Sequence, residues 1–149
     1  MQHLSRSAHE TEAFAAKLAA RLFPGAVLAL HGGLGAGKTA FVRGLAAGLG
    51  ITGRVSSPTF TLLHEHGGRL NLYHFDLYRV DEDALYDFGA EDYFYGQGVC
   101  AIEWPEKAGA LLPADRLDIT LTPQGEDERL IEVIAAGQAH AAALEGLTI

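Results

Sequence analysis

The residues Gly32-Gly33-Leu34-Gly35-Ala36-Gly37-Lys38-Thr39 match G-x-x-x-x-G-K-[ST] at every fixed position. Glycines let a backbone curl until several N–H groups face one anion, and the positive end of a following helix strengthens that attraction. In such a loop Lys38 reaches the β- and γ-phosphates and the Thr39 hydroxyl ligates Mg²⁺. The flanking sequence has the form the chemistry requires. Ala26-Val27-Leu28-Ala29-Leu30 reads as a short buried strand, and Val42, Leu45, Ala46 and Leu49 recur on one helix face. Binding of a nucleoside triphosphate with Mg²⁺ is the expectation.

A second chemical group stands at the end of Val99-Cys100-Ala101-Ile102-Glu103-Trp104-Pro105. An apolar strand that ends in a carboxylate meets the requirement of a Walker B acid. Its strand fixes Glu103 beside the loop, where it binds Mg²⁺ or polarises the attacking water. A third group comes from residues 60–66 and 69–76, which flank Gly67-Gly68 and read as a two-residue hairpin. Pairing His66 with Arg69 would set Leu62 against Tyr73 and Thr59 against Asp76, so the last two should converge on one side. The same register puts His74 on the opposite face from His64 and His66, which argues against a three-histidine metal site.

These groups need a scaffold. Ser7-Ala8-His9-Glu10 reads as a capping box opening a helix with Phe14, Leu18 and Leu22 on one stripe, ended before Pro24-Gly25. Ser56-Ser57-Pro58-Thr59 is a polar turn. Asp81 caps a helical stretch holding Ala84, Leu85, Phe88, Tyr93 and Phe94, interrupted at Gly89. Residues 117–122 and 130–135 read as strands, and 137–147 as a small terminal helix. The fold class expected is α/β: a single-domain sheet of P-loop NTPase type, with a parallel core and antiparallel hairpin additions, flanked by helices.

Composition sets outer bounds. With 149 residues the chain suits one domain spanning 1–149. Cys100 is the only cysteine, so no intrachain disulfide can form. The longest apolar run is too short for a membrane span, and the N-terminal stretch lacks a signal-peptide pattern. A cytoplasmic protein without membrane contact is expected. The formal net charge of −8 argues against direct nucleic-acid binding, which needs a basic surface, so any RNA should be held by a partner.

Taken together, the chain resembles the TsaE family, bacterial ATPases for making threonylcarbamoyladenosine on tRNA. Four islands carry the resemblance in order: the glycine loop, Ser57-Pro58-Thr59-Phe60-Thr61-Leu62, His74-Phe75-Asp76-Leu77-Tyr78-Arg79, and Ile102-Glu103-Trp104-Pro105-Glu106. The resemblance implies that Gly32, Gly35, Ala36, Gly37, Lys38, Thr39 and Ala40 hold the phosphates of ATP. It implies Mg²⁺ between Thr39 and Glu103, Thr59 in a switch-like segment, Asp76 as a catalytic-site carboxylate, and Trp104 in the flanking loop. It implies an adenine pocket drawn from the segment around Ser7 to Thr11 and from the region near Arg129. Two positions depart from the family pattern: Gly33 stands where Asp is common, and Ala40 where a second Thr is frequent.

For mechanism, the resemblance implies a weak ATPase that works with the TsaB and TsaD proteins. ATP hydrolysis would reset that transferase assembly, with tRNA reached only through the complex. No arginine is assigned as a finger by spacing, though Arg43 and Arg79 are available. Two other classes fit a phosphate-binding loop: a small-molecule or nucleotide kinase with Asp76 as base, and a nucleotide-dependent binding module that does not hydrolyse.

Overall fold

Continuous apolar runs form strands covered on both faces, and alternating runs form strands covered on one. The first kind gives β2 (Val27–His31) and β5 (Val99–Glu103), parallel neighbours, with every residue of β5 buried. The second kind gives β6 (Arg116–Pro123), where Leu117, Ile119 and Leu121 are buried and the residues between them are not. The structure, a computed structural model, describes residues 1–147, so the last two positions of the expected 1–149 domain lie outside the described residues.

With β1 (Gln2–Ser5), β3 (Leu63–His66), β4 (Leu72–Asp76) and β7 (Arg129–Ala136), these strands make one sheet ordered β1-β7-β6-β2-β5-β4-β3. The inner four, β6, β2, β5 and β4, run parallel, and β7, β1 and β3 are antiparallel additions. The expected α/β class, with a parallel core, is therefore present. Against one face pack α1 (Ala8–Ala19) and α2 (Lys38–Gly48), joining Phe14, Leu18, Phe41 and Leu45 to Leu28, Leu30 and Ile119. Against the other pack α3 (Glu82–Phe88), α4 (Ala90–Phe94) and the 3₁₀ segment Pro105–Leu111, around Phe75, Leu85, Phe94 and Ile102. Cys100 lies in this second core, where burial pushes its thiol up to about 12.

Local signals act much as their chemistry dictates. Ser7 Oγ accepts the Glu10 N–H at 3.1 Å, and Glu10 reaches back to the Arg6 N–H at 2.8 Å, one residue beyond the usual partner. Asp81 Oδ1 caps α3 through the Ala84 N–H. Gly89, at φ +86°, separates α3 from α4. The expected terminal helix forms as α5 (Gln138–Glu145), tied down by His140. Its Nε2 accepts the Val27 N–H at 2.9 Å, so Nδ1 bears the hydrogen given to Asp115 at 2.6 Å. That hydrogen bond holds the Asp115 carboxyl below the usual carboxylate range.

Two expectations fail around Gly67-Gly68. The connection between β3 and β4 is 67–71, not two residues, and Tyr73 faces Glu65 instead of Leu62. Neither glycine has the positive φ that a tight hairpin turn needs. Instead Gly68 presses on Leu49, and the Arg69 N–H donates to Leu49 O at 2.7 Å, so the end of α2 draws the chain outward. The strand consequently begins later than position 60. Residues 58–62 turn, with the Leu62 N–H donating to Pro58 O at 2.9 Å and Leu62 at φ +70°. His74 pairs directly with His64, so the two share a face that the expected register denied them.

The contact between α1 and α2 depends on two missing side chains. A Cβ on Gly44 would enter the Glu12 carbonyl oxygen, and one on Gly48 would come within 2.5 Å of Ala19 Cβ. Glycine inside a helix costs about 0.5–1 kcal/mol relative to alanine, yet here it lets the two backbones meet. Gly44→Ala should therefore destabilise the protein by about 1–3 kcal/mol, as overpacked interfaces do, despite better helix propensity. Thermal denaturation checks this, and an unchanged or raised Tm would contradict the close-packing account.

Candidate functional site

Strand β2 delivers the chain to the glycine loop, and α2 carries it away beneath the sheet. Gly37 caps α2 at φ +101° and supplies no side chain, so the cap itself competes for none of the first-turn N–H groups. Gly35 is also left-handed, at φ +74°. At Gly32 a Cβ would lie 2.9 Å from both Ala36 Cβ and the Leu121 carbonyl oxygen, so the loop closes only with glycine there.

Parallel pairing brings the acids to the same end. In the β4–β5 register Asp76 sits beside Glu103, at the last residue of each strand. Both are almost fully buried, at 5% and 4% exposure. Lys38 approaches from the start of α2, with Nζ 3.9 Å from Glu103 Oε1 and 4.0 Å from the centre of the Trp104 ring. Lys38 Nζ is buried and has no hydrogen-bond partner among the described residues. Burial pulls the ammonium below the ordinary lysine range, and the carboxylates of Glu103, Asp76 and Glu106 oppose that pull.

Each carboxylate is held by its own set of donors. His74 Nε2 lies 2.5 Å from Glu103 Oε2, and an ionised carboxylate only accepts, so the imidazole donates. That leaves Glu103 Oε1 on the lysine side. Asp76 Oδ1 accepts the Tyr78 N–H at 2.9 Å, and Oδ2 accepts from Thr59 at 3.0 Å and Ser57 at 3.4 Å. Trp104, immediately after Glu103, adopts φ +57°, a left-handed conformation that costs a non-glycine residue strain and is concentrated at functional sites.

A cavity of about 320 Å³ opens among these groups. Gly35, Ala36, Gly37, Lys38, Thr39 and Ala40 line it on one side, with Thr59, Asp76, Glu103 and Trp104 across from them. Gly32 instead borders an adjoining cavity with His31, Gly33, Trp104 and Glu106. Thr59 and Asp76 do meet, but through the 58–62 turn rather than by hairpin pairing. Arg43 lines the cavity while its Nε holds Glu12 at 2.8 Å, and Arg79 lies over the Phe60 ring at 4.6 Å, away from the lining. Ala8 and Thr11 border a smaller hollow with Gly37, Ala40 and Arg129. His74 and Ser57 were not singled out from sequence as holding the acids. An H-x-D alternation at the end of β4 was the available signal for His74, because alternate residues share a strand face.

The arrangement suits an anionic ligand and a hard cation. A buried ammonium that meets Glu103 only at 3.9 Å and makes no hydrogen bond among the described residues leaves its N–H groups open to a further anionic acceptor. Among the described residues no three His, Cys, Asp or Glu side chains form a metal cage. Thr39, Glu103 and Asp76 offer a few hard oxygens, and Mg²⁺ characteristically takes one or two carboxylates and completes its shell with water and phosphate oxygens.

Comparison with known proteins agrees across nearly the whole chain. The model of the family described as threonylcarbamoyl adenosine biosynthesis protein TsaE matches residues 5–131. A tRNA threonylcarbamoyladenosine biosynthesis protein TsaE from Bacillus subtilis is 49% identical over 140 residues, covering 93% of this chain and 88% of that protein. Its counterpart from Treponema pallidum is 45% identical over 134 residues, covering 89% and 99%. The crystal structure of Bacillus subtilis YdiB superposes with a TM-score of 0.87 at 42% identity, covering 99% of this chain and 93% of that one. The glycine loop, the buried acids and the parallel sheet are thus features of a chain that belongs to the TsaE family of tRNA threonylcarbamoyladenosine biosynthesis.

Proposed function

We propose that the protein binds ATP with Mg²⁺ and hydrolyses it to support threonylcarbamoyladenosine formation on tRNA, acting in the cytoplasm with the TsaB and TsaD proteins. The observation that carries this reading is Lys38 Nζ, buried without a hydrogen-bond partner at the mouth of the glycine loop and facing two buried acids. The polyphosphate would lie along Gly35 to Ala40, with Lys38 on the β- and γ-phosphates. Bound near Thr39 and Glu103, Mg²⁺ would neutralise charge on the phosphate oxygens.

The remaining steps belong to the side chains. Glu103, aimed by His74, and Asp76, held by Thr59, Ser57 and the Tyr78 N–H, present oxygens to the cavity where an attacking water must be oriented. Pro58 anchors the segment 57–59 through its carbonyl, while the hydroxyls of Ser57 and Thr59 on either side hold Asp76 and would be free to exchange it for a γ-phosphate oxygen. Among the described residues Arg43 is the one arginine that borders the cavity, and Glu12 occupies its Nε. A partner protein that completes the charge on the γ-phosphate fits this arrangement and accounts for weak activity in isolation. Hydrolysis would then reset the TsaB–TsaD assembly, with tRNA contacted only through the complex.

The direct test is phosphate release from ATP by the purified protein, alone and with TsaB and TsaD. Stimulation by the pair supports the reading, and equal rates argue against it. Phosphate appearing on an added acceptor instead of in solution would identify a kinase. Binding of ATP with no turnover in the full mixture would identify a non-hydrolysing switch. Lys38→Ala should lower turnover by about 100-fold or more, the scale of losing a charge-stabilising donor, and near-normal rates would overturn the role of Lys38. Glu103→Gln keeps an oxygen for His74, so the variant should melt like wild type while turnover falls and the Mg²⁺ requirement rises. An unchanged Mg²⁺ titration would remove Glu103 from the metal site.

A further inference from the structure

Arg129, the first residue of β7, reaches back to the glycine loop. Its Nε donates to Ala36 O at 3.0 Å and its Nη2 to Gly35 O at 3.1 Å. Its Nη1 faces the carbonyls of Gly125, Glu126 and Glu128, at 3.3, 3.2 and 2.9 Å. Among the described residues no carboxylate lies within ion-pair distance of this guanidinium, although Glu126, Asp127 and Glu128 adjoin it in sequence. The side chain is therefore used as a fork on backbone oxygens. It joins the turn between β6 and β7 to the loop in front of α2.

Such a grip has a consequence for the opposite side of each peptide. A trans peptide points its C=O and N–H in opposite directions. With Ala36 O held by Arg129, the N–H of Gly37 is turned away from the guanidinium. With Gly35 O held, the Ala36 N–H is kept on Gly33 O at 3.2 Å, which closes the turn. Loop glycines resist no rotation by themselves, so an external clamp decides which way these peptides face.

We propose that Arg129 is a positioning residue that braces the glycine loop in the shape that receives a polyphosphate. This rests on the nucleotide reading above and deepens it, because it gives Arg129 a task at the phosphate end beyond bordering the hollow it shares with Ala8 and Thr11, where family resemblance implied the adenine pocket. The planar fork is essential to the role. A lysine keeps the charge but cannot hold two loop carbonyls in one fixed geometry.

The test uses isothermal titration of the whole protein with ADP and with inorganic tripolyphosphate, in wild type, Arg129→Ala and Arg129→Lys. A brace predicts that Arg129→Ala weakens both ligands by a similar factor, about tenfold or more, since hydrogen bonds made by charged groups are the stronger ones. Arg129→Lys should remain weak for both. Loss of ADP binding with tripolyphosphate unchanged would make Arg129 a base contact and overturn the proposal. Full recovery by Arg129→Lys would overturn it in favour of charge alone. A wild-type protein that binds neither ligand overturns the nucleotide reading and this one with it. Amide hydrogen exchange gives an independent measure in the unliganded state. Residues 35–38 should exchange faster in both variants while α5 keeps its protection, and an unchanged loop contradicts the brace.

Discussion

A lysine ammonium almost out of water, with no hydrogen bond of its own, is a costly thing to build. Lys38 is kept in that state by its position at the first turn of α2 and by the ring of Trp104 beside it. Burial lowers its pKa and the carboxylates of Glu103 and Asp76 oppose that pull, but neither acid comes within hydrogen-bond distance. The remainder of the site can be understood from that imbalance. The loop ahead of Lys38 bares N–H groups, the acids behind it are tied up by other donors, and the cavity between them is left to a ligand.

The sheet explains why these groups meet. Parallel strands share a direction, so β2, β4 and β5 end together, and everything that follows them gathers on one edge. In-register pairing then sets Asp76 next to Glu103 without any loop having to place them. His74 benefits from the same geometry, two residues back on the same strand face as Asp76, with Glu103 as its neighbour's last residue. The acids are therefore aimed by regular structure, whereas Thr59 and Ser57 reach them from a turn. Rigid and yielding parts of the site are segregated by the elements that bear them.

What could be read from the sequence was what local chemistry decides. The glycine loop, β5 with its terminal acid and the Ser7 and Asp81 caps depend on neighbours a few residues away. β1 escaped notice because four residues with little alternation become a strand only by pairing with β7. The Gly67-Gly68 hairpin was misread because its glycines serve packing against Leu49, a contact invisible to a turn rule. The register it implied separated His64 from His74, which in fact pair, while the contact of His74 with Glu103 depends on the neighbouring strand β5 and not on the hairpin. Arg129 could be located only loosely, since no spacing rule describes a guanidinium that spends itself on backbone oxygens.

The pairing of β1 with β7 also sets a clock. Gln2 faces Glu132, so β1 cannot find its place until β7 has been made. A ribosome adding about 5–20 residues each second takes roughly ten seconds to supply that partner. Through that interval β1 has no sheet edge to join. Arg129 opens the same late strand, so its hold on the loop comes only after β2, β4 and β5 have been made. In a nascent chain β2, β4 and β5 would thus stand ready well before the strand whose arginine braces the nucleotide cleft.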